Sequence, residues 1–406
     1  MKLQDRQSYL DWLRMLAIIG VLFFHSGMPY VAEEGWHIKN KETSNILLEF
    51  NYWMSRFRMP LLFFVSGAIT YFILKRKTGW QFVGIRFKRL IIPLIFGMLI
   101  IVPPQIYMER ITQGFRGSYL DFYPSIFEGK PYPSGNTSWH HLWFILYLFI
   151  YNLIAAPLFV WLLSERGKKW SEKIHWLGKG KWIYLIMLPG VIWFTAFVLR
   201  YNQTNDLMHD YTFFPYWFFF LLAGFICITN QPLIESLRQN RRISLLMATL
   251  TFVAINYFRW NQLDPWDTIS NYENDWRTYA VLALRASTAW FWVFALIGYG
   301  KEYLNKKHRI LNYINEAVYP FYILHQTIIV ILAFYFVQTT DTISTKYTAT
   351  IFTTFFLSML IYHLFIRPYN ITRFLFGMAP IRKNIVEDIE THPLSIEQPE
   401  RKISTV

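Results

Sequence analysis

Tyr9 to Tyr30 reads YLDWLRMLAIIGVLFFHSGMPY, an apolar run interrupted by Asp11, Arg14 and His25. Its middle is apolar enough to enter a bilayer. Ionisable side chains within a membrane helix are expensive and face a bundle interior or a water-filled cavity. Arg14 and His25 are eleven residues apart, about three turns at 3.6 residues per turn, so they project from nearly the same face. At about 1.5 Å rise per residue they lie about 16 Å apart along the axis, half the hydrocarbon thickness of a bilayer. One face of one helix therefore carries a guanidinium near one membrane surface and an imidazole deep inside.

The rest of the 406-residue chain has the composition of an integral membrane protein. It is 54% hydrophobic and only 16% charged, with a mean hydropathy of +0.22. Aromatics are abundant near segment ends, as in interfacial belts. A net charge of +14 would suggest nucleic acid in a soluble protein. Here the basic residues cluster between hydrophobic segments, as positive-inside loops do, and nucleic acid is set aside as a partner. The single cysteine, Cys227, lies in an apolar run, so neither an intramolecular disulfide nor a cysteine metal site can be built. Lys2 and Arg6 precede the first apolar run, but Phe24-His25-Ser26-Gly27-Met28 offers no small-x-small cleavage site. The first span is read as uncleaved.

Ten spans can be drawn: about 9–29, 54–74, 90–108, 142–163, 182–200, 213–229, 243–260, 279–299, 316–337 and 348–366. The expected fold is all-α, one bundle of about ten transmembrane helices over residues 1–376, followed by a polar tail at 377–406 with the composition of a disordered segment. With an even number of spans, both termini lie on one side. On that side fall 27 Lys and Arg, including Lys75-Arg76-Lys77, Arg86, Lys88 and Arg89, against 11 on the other and two within spans. The asymmetry makes both termini cytoplasmic. The opposite side carries the longer polar loops, 109–140 and 261–278. The second holds Asp264, Asp267, Glu273 and Asp275 among Trp and Tyr. Rings stack on sugar faces and carboxylates accept from hydroxyls, so such a loop suits carbohydrate; an ordinary interfacial loop has the same composition. No internal repeat supports a transporter built from inverted repeats.

Arg14, ten intervening residues and His25 in the first helix resemble the signature of the membrane acyltransferase-3 family. Arg86-Phe87-Lys88-Arg89 resembles that family's Arg-x-x-Arg loop motif. Tyr319-Pro320-Phe321-Tyr322-Ile323-Leu324-His325 resembles its late Tyr-Pro-x-Tyr-x-x-His element. Phe57-Arg58-Met59-Pro60, with the Leu61–Gly67 run after it, and His141-Leu142-Trp143-Phe144 are most similar to the branch containing the periplasmic-glucan succinyltransferase. The resemblance runs from Tyr9 to about Arg373. It implies an enzyme of the cell inner membrane that moves an acetyl or succinyl group from cytoplasmic acyl-CoA to a hydroxyl of an extracytoplasmic glycan or glycolipid. Acyl-CoA is then a co-substrate, and no tightly bound cofactor is expected. The residues alone also fit a polytopic transporter without covalent chemistry, or an acyltransferase acting on a small molecule or lipid.

Each candidate has a functional and a structural reading. His25 is either a general base toward a hydroxyl, or a transient carrier of the acyl group, or a helix–helix hydrogen bond. Arg14 either meets the donor's phosphates or pairs with Asp11 three residues earlier. Arg86 and Arg89 have guanidinium forks that match phosphate oxygens, and they also belong to a positive-inside cluster. Arg58 and Arg285 read as snorkelling residues, Arg285 less easily because Trp290, Phe291 and Trp292 follow it. His325 is a second titratable group or an interhelical hydrogen bond. Glu316 reads as a helix N-terminal charge, and His140 and His141 as interfacial residues able to touch an acceptor. No cluster has metal-ligand spacing, and no metal is expected.

Overall fold

The computed structural model describes residues 7–32 and 35–381. Among these there is no strand, only helices and connecting loops. The expected residues 382–406 of the tail lie outside the described residues.

The first helix, Ser8–Gly27, is the hub. It packs against Asn45–Ser55, Arg58–Leu74, Trp276–Tyr303, Ile310–Phe336 and Ile343–Ile361. Pro29 in the following Met28–Tyr30 turn ends it. Its outer end is pinned by side chains. The Asn51 amide donates to the Phe24 carbonyl at 3.1 Å, and the Tyr347 hydroxyl donates to the Phe23 carbonyl at 3.3 Å. Both grips flank His25 and fix how far the helix reaches.

Among the described residues, eight helical stretches are long and apolar enough to cross a membrane, and a ninth arises if the bent pair Phe213–Thr229 and Gln231–Gln239 counts as one span. All ten expected segments are helical, but two depart from full straight crossings. The fifth is the short apolar helix Trp182–Phe197, which opens as a 3₁₀ turn before Pro189. The sixth turns by 105° at Asn230, whose extended backbone and the following Pro232 stop the helix. The second span begins earlier than expected, at Asn45, with a break at Arg56 and Phe57.

The third span also starts early. Thr78 and Gln81 form a reciprocal cap, and the span runs from Gly79 to Thr112 with π turns at Phe87–Ile91 and Gly97–Ile101. Each π turn precedes a proline, Pro93 or Pro103, that cannot donate to the turn before it. The Arg86-x-x-Arg89 element is therefore helical, at the junction of an α turn and a π turn, and not part of a loop.

Faces turned outward carry Ile95, Leu99, Leu153, Leu250, Val253, Phe352 and Phe356, all exposed, as surfaces bathed in lipid do. On the outer-loop side, Asp275 caps Trp276–Tyr303. Hydrogen bonds from Arg277 hold its carboxyl down at about 2.

Candidate active site

The site is built in layers along the first helix, and the eleven-residue spacing sets its length. At one end Arg14 lines a cavity of about 450 Å³, together with Arg86 and Arg89. Arg14 donates to the Asn315 side-chain oxygen and lies 3.9 Å from the Asp11 carboxylate. The expected Asp11–Arg14 pair thus exists as a loose contact that leaves Arg14 on the cavity wall. Arg86 donates to the Thr70 hydroxyl at 2.8 Å, which aims its guanidinium across from the helix Arg58–Leu74. Arg89, one turn on, is exposed toward the same cavity.

Glu316 also lines this cavity, but not as a helix N-terminal charge. Its helix begins six residues earlier, at Ile310. Its carboxylate is bound by Arg373 and lies 3.8 Å from Arg367. Arg373 in turn donates to the Ala379 carbonyl at 2.7 Å. The start of the expected tail, Gly377 to Ala379, is therefore tied down as part of the cavity rim.

The inner wall of the cavity is Phe144 and Tyr322. One ring layer beyond lie three histidines from three spans. His25 Nδ1 is 2.9 Å from His325 Nε2, with the rings parallel to within 4°. His141 meets the His325 ring edge-on at a centroid distance of 5.3 Å. The backbone fixes the proton order of a neutral pair. His325 Nδ1 is 2.6 Å from the Tyr322 carbonyl, which only accepts, so the proton sits on Nδ1 and Nε2 keeps a lone pair. His25 must then donate from Nδ1, leaving its Nε2 as an unprotonated base. His141 donates from Nε2 to the Ile323 carbonyl at 3.0 Å, and its Nδ1 is buried without a hydrogen-bond partner among the described residues. His141 is thus a buried member of the site and not an interfacial residue.

Two arginines expected as snorkelling residues stay inside the protein. The Arg58 guanidinium lies over the Phe24 ring, 3.3 Å from its centroid, next to His25 in sequence. Arg285 pairs with Asp264 at 2.7 Å and stacks on Trp266, so it anchors the second outer loop and is not brought to the histidines.

A further set of groups was not brought together by the sequence reading, which named His140 but not Trp36, His37 or Glu109. On the outer side of His25, the Trp36 ring sits 5.5 Å away and leads to His37 at 5.0 Å. His37 hydrogen-bonds Glu109 and stacks on His140 at 4.6 Å. These residues lie in two loops and a helix end with no shared periodicity. Asn315 and Arg373, both within helices, were missed because only packing brings those helices to the cavity.

A family model described as an acyltransferase domain matches residues 7–363. Glucans biosynthesis protein C from Escherichia coli K12 is 26% identical over 341 residues, covering 79% of this chain and 82% of that protein. The proteins of the same name from Escherichia coli O81 (strain ED1a) and SMS-3-5 match to the same extent. No solved structure matches the chain. With the family model spanning nearly the whole described bundle, and with Arg14, His25 and His325 on one axis inside it, the chain belongs to the acyltransferase family and is a multi-pass membrane acyltransferase.

Proposed function

We propose that the protein takes an acyl group, acetyl or succinyl, from acyl-CoA on the cytoplasmic face of the inner membrane and transfers it to a hydroxyl of an extracytoplasmic glycan or glycolipid. The observation that carries this reading is the alignment of an arginine-lined cavity with the pair of half-buried His25 and buried His325 across one ring layer. Arg14, Arg86 and Arg89 match the donor's phosphates, Arg86 and Arg89 as forks. A cavity of about 450 Å³ lies within the usual range for small-molecule sites. It receives the pantetheine arm, whose thioester advances toward Tyr322 and the histidines. The name of the Escherichia coli relatives, glucans biosynthesis protein C, supports a glycan acceptor.

In the transfer, His25 Nε2 takes the proton of the acceptor hydroxyl as its oxygen attacks the thioester carbonyl carbon. The carbon–sulfur bond breaks, and the coenzyme A thiolate leaves with the proton that His25 Nε2 had removed, which returns His25 to its neutral form. His325 accepts the Nδ1 hydrogen bond of His25 and stabilises the imidazolium formed. The Tyr322 carbonyl holds His325 in that orientation.

The test uses the full chain in lipid nanodiscs with labelled acetyl-CoA or succinyl-CoA and a glucan acceptor, following coenzyme A release and label on the glycan. The wild type releases coenzyme A and labels the glycan. His25→Gln keeps size and hydrogen bonding but shuttles no proton at neutral pH. It should bind donor and lose transfer by about 10²–10⁴-fold. Replacing Arg86 and Arg89 by alanine should weaken donor binding, with lysine rescuing only in part. An active His25→Gln enzyme, or unchanged donor affinity in the double alanine variant, contradicts these assignments.

A further inference from the structure

We propose that His37, Glu109 and His140 form a zinc site at the outer mouth of the histidine layer. Their candidate ligand atoms all lie within 4.8 Å of one another. Donors held about 2 Å from a tetrahedral zinc sit about 3.3 Å apart, so the hydrogen-bonded His37 and Glu109 atoms part and the His140 atom draws in, shifts of about 1 Å, as the cation enters. Two imidazoles and one carboxylate form a donor set that zinc favours, and three protein ligands leave a fourth position open.

The surroundings have the features of a built site. The His37 and Glu109 side chains are only 8% and 5% exposed. The Tyr132 hydroxyl and the Gln113 amide both donate to Glu109 Oε1, at 2.9 and 3.2 Å; Oε2 faces His37, with the Tyr132 hydroxyl also 3.2 Å from it. Ligating carboxylates are commonly oriented by such outer hydrogen bonds. His140 is held in the same way. Its Nδ1 lies 2.5 Å from the Ser138 hydroxyl, while its Nε2 is buried without a hydrogen-bond partner among the described residues. With the Nδ1 proton given to Ser138, the Nε2 lone pair is the orphan, and a cation satisfies it. The backbone of His140 adds an independent sign. Its φ of +42° is a left-handed conformation that a side-chain-bearing residue keeps only where the surroundings over-determine it.

The three ligands come from the loop after the first helix, the outer end of the Gly79–Thr112 span and the entry to His140–Leu163. A metal there clamps these three segments at one point. Through Trp36 and through the chain step to His141, that point is one ring layer from the His25–His325 pair. The clamp fixes the mouth through which an outer reactant reaches His25.

The test needs no knowledge of the reaction. The full-length protein, purified without a polyhistidine tag, is stripped with a chelator, loaded with zinc, dialysed and assayed by elemental mass spectrometry and thermal unfolding. The wild type should retain one zinc per chain and melt at higher temperature when loaded. Glu109→Gln and His140→Ala should lose zinc affinity at least tenfold and lose the thermal shift. Should either variant fold poorly, His140→Cys loaded with cobalt decides: a thiolate-to-cobalt charge-transfer band places the metal at residue 140, and its absence refutes the site. A wild-type protein that retains no zinc overturns the proposal and leaves a hydrogen-bonded His–Glu pair. Equal retention by wild type and both variants means an adventitious ion only, and overturns it too.

Discussion

At the scale of single residues, the chemistry rests on which nitrogen of each histidine holds a proton. Carbonyl acceptors decide this, since the Tyr322 and Ile323 oxygens can only accept. In the proposed transfer, His325 acts on the reaction through His25 and is a positioning residue. His325→Phe removes the acceptor for His25 Nδ1–H and frees that ring to turn. Transfer should fall by about 10²–10⁴-fold, comparable to losing general-base catalysis, while donor binding stays close to wild type. His325→Asn restores an acceptor oxygen and should recover part of the rate. A steady-state comparison of kcat and KM checks this. An unimpaired phenylalanine variant would show that His25 needs no partner. The Arg14–His25 spacing was legible in the sequence because both lie on one helix, whose period is local. The 2.9 Å contact of His25 with a residue 300 positions later was not.

At the scale of elements, packing in a bilayer depends on backbones approaching closely, because lipid tails are as apolar as leucine. The helices Arg58–Leu74 and Phe213–Thr229 meet in this way through two glycines. A Cβ on Gly67 would lie 2.0 Å from the Leu221 carbonyl oxygen, and one on Gly224 would lie 1.9 Å from that of Phe64. The obstruction is backbone on both sides and cannot swing away. Gly67→Ala and Gly224→Ala should each destabilise the bundle by about 1–3 kcal/mol, the cost of overpacking. Folded yield after detergent extraction, and the unfolding temperature, report the loss. Variants as stable as wild type would mean the helices separate easily. This contact carries Thr70, and with it Arg86, so activity should fall with stability. In the sequence Gly67 was visible only as part of a motif-like apolar run, since the need for glycine arises from a helix over 150 residues away.

At the scale of the whole molecule, the arginine cavity and the outer histidine cluster lie at opposite ends of one axis. In the proposed reaction, donor and acceptor approach from opposite faces of the membrane. The excess of basic residues beside the cavity is the reason for placing that face in the cytoplasm. Reporter fusions in loops near Lys77 and Lys169 should be cytoplasmic, and fusions near Gly129 and Asp267 extracytoplasmic. A cytoplasmic Gly129 loop would reverse the proposed donor side. The short Trp182–Phe197 helix and the 105° bend at Asn230 lie between the Lys169 and Asp267 markers, so the fusions also decide whether those two segments make an even or an odd number of crossings.

The sequence by itself determined that this is a helical membrane protein and which residues of the first helix share a face. Each of these follows from hydropathy or helical period over a few turns, where chain connectivity alone sets distance. Only the tertiary structure decided that Glu316 braces Arg373, that Arg285 anchors an outer loop, and that His141 is buried against His325. It alone brought His37, Glu109 and His140 together. Those groups sit on loops and helix ends whose meeting depends on how separate spans pack. No local pattern encodes that, because the energy that holds them comes from contacts between elements far apart in the chain.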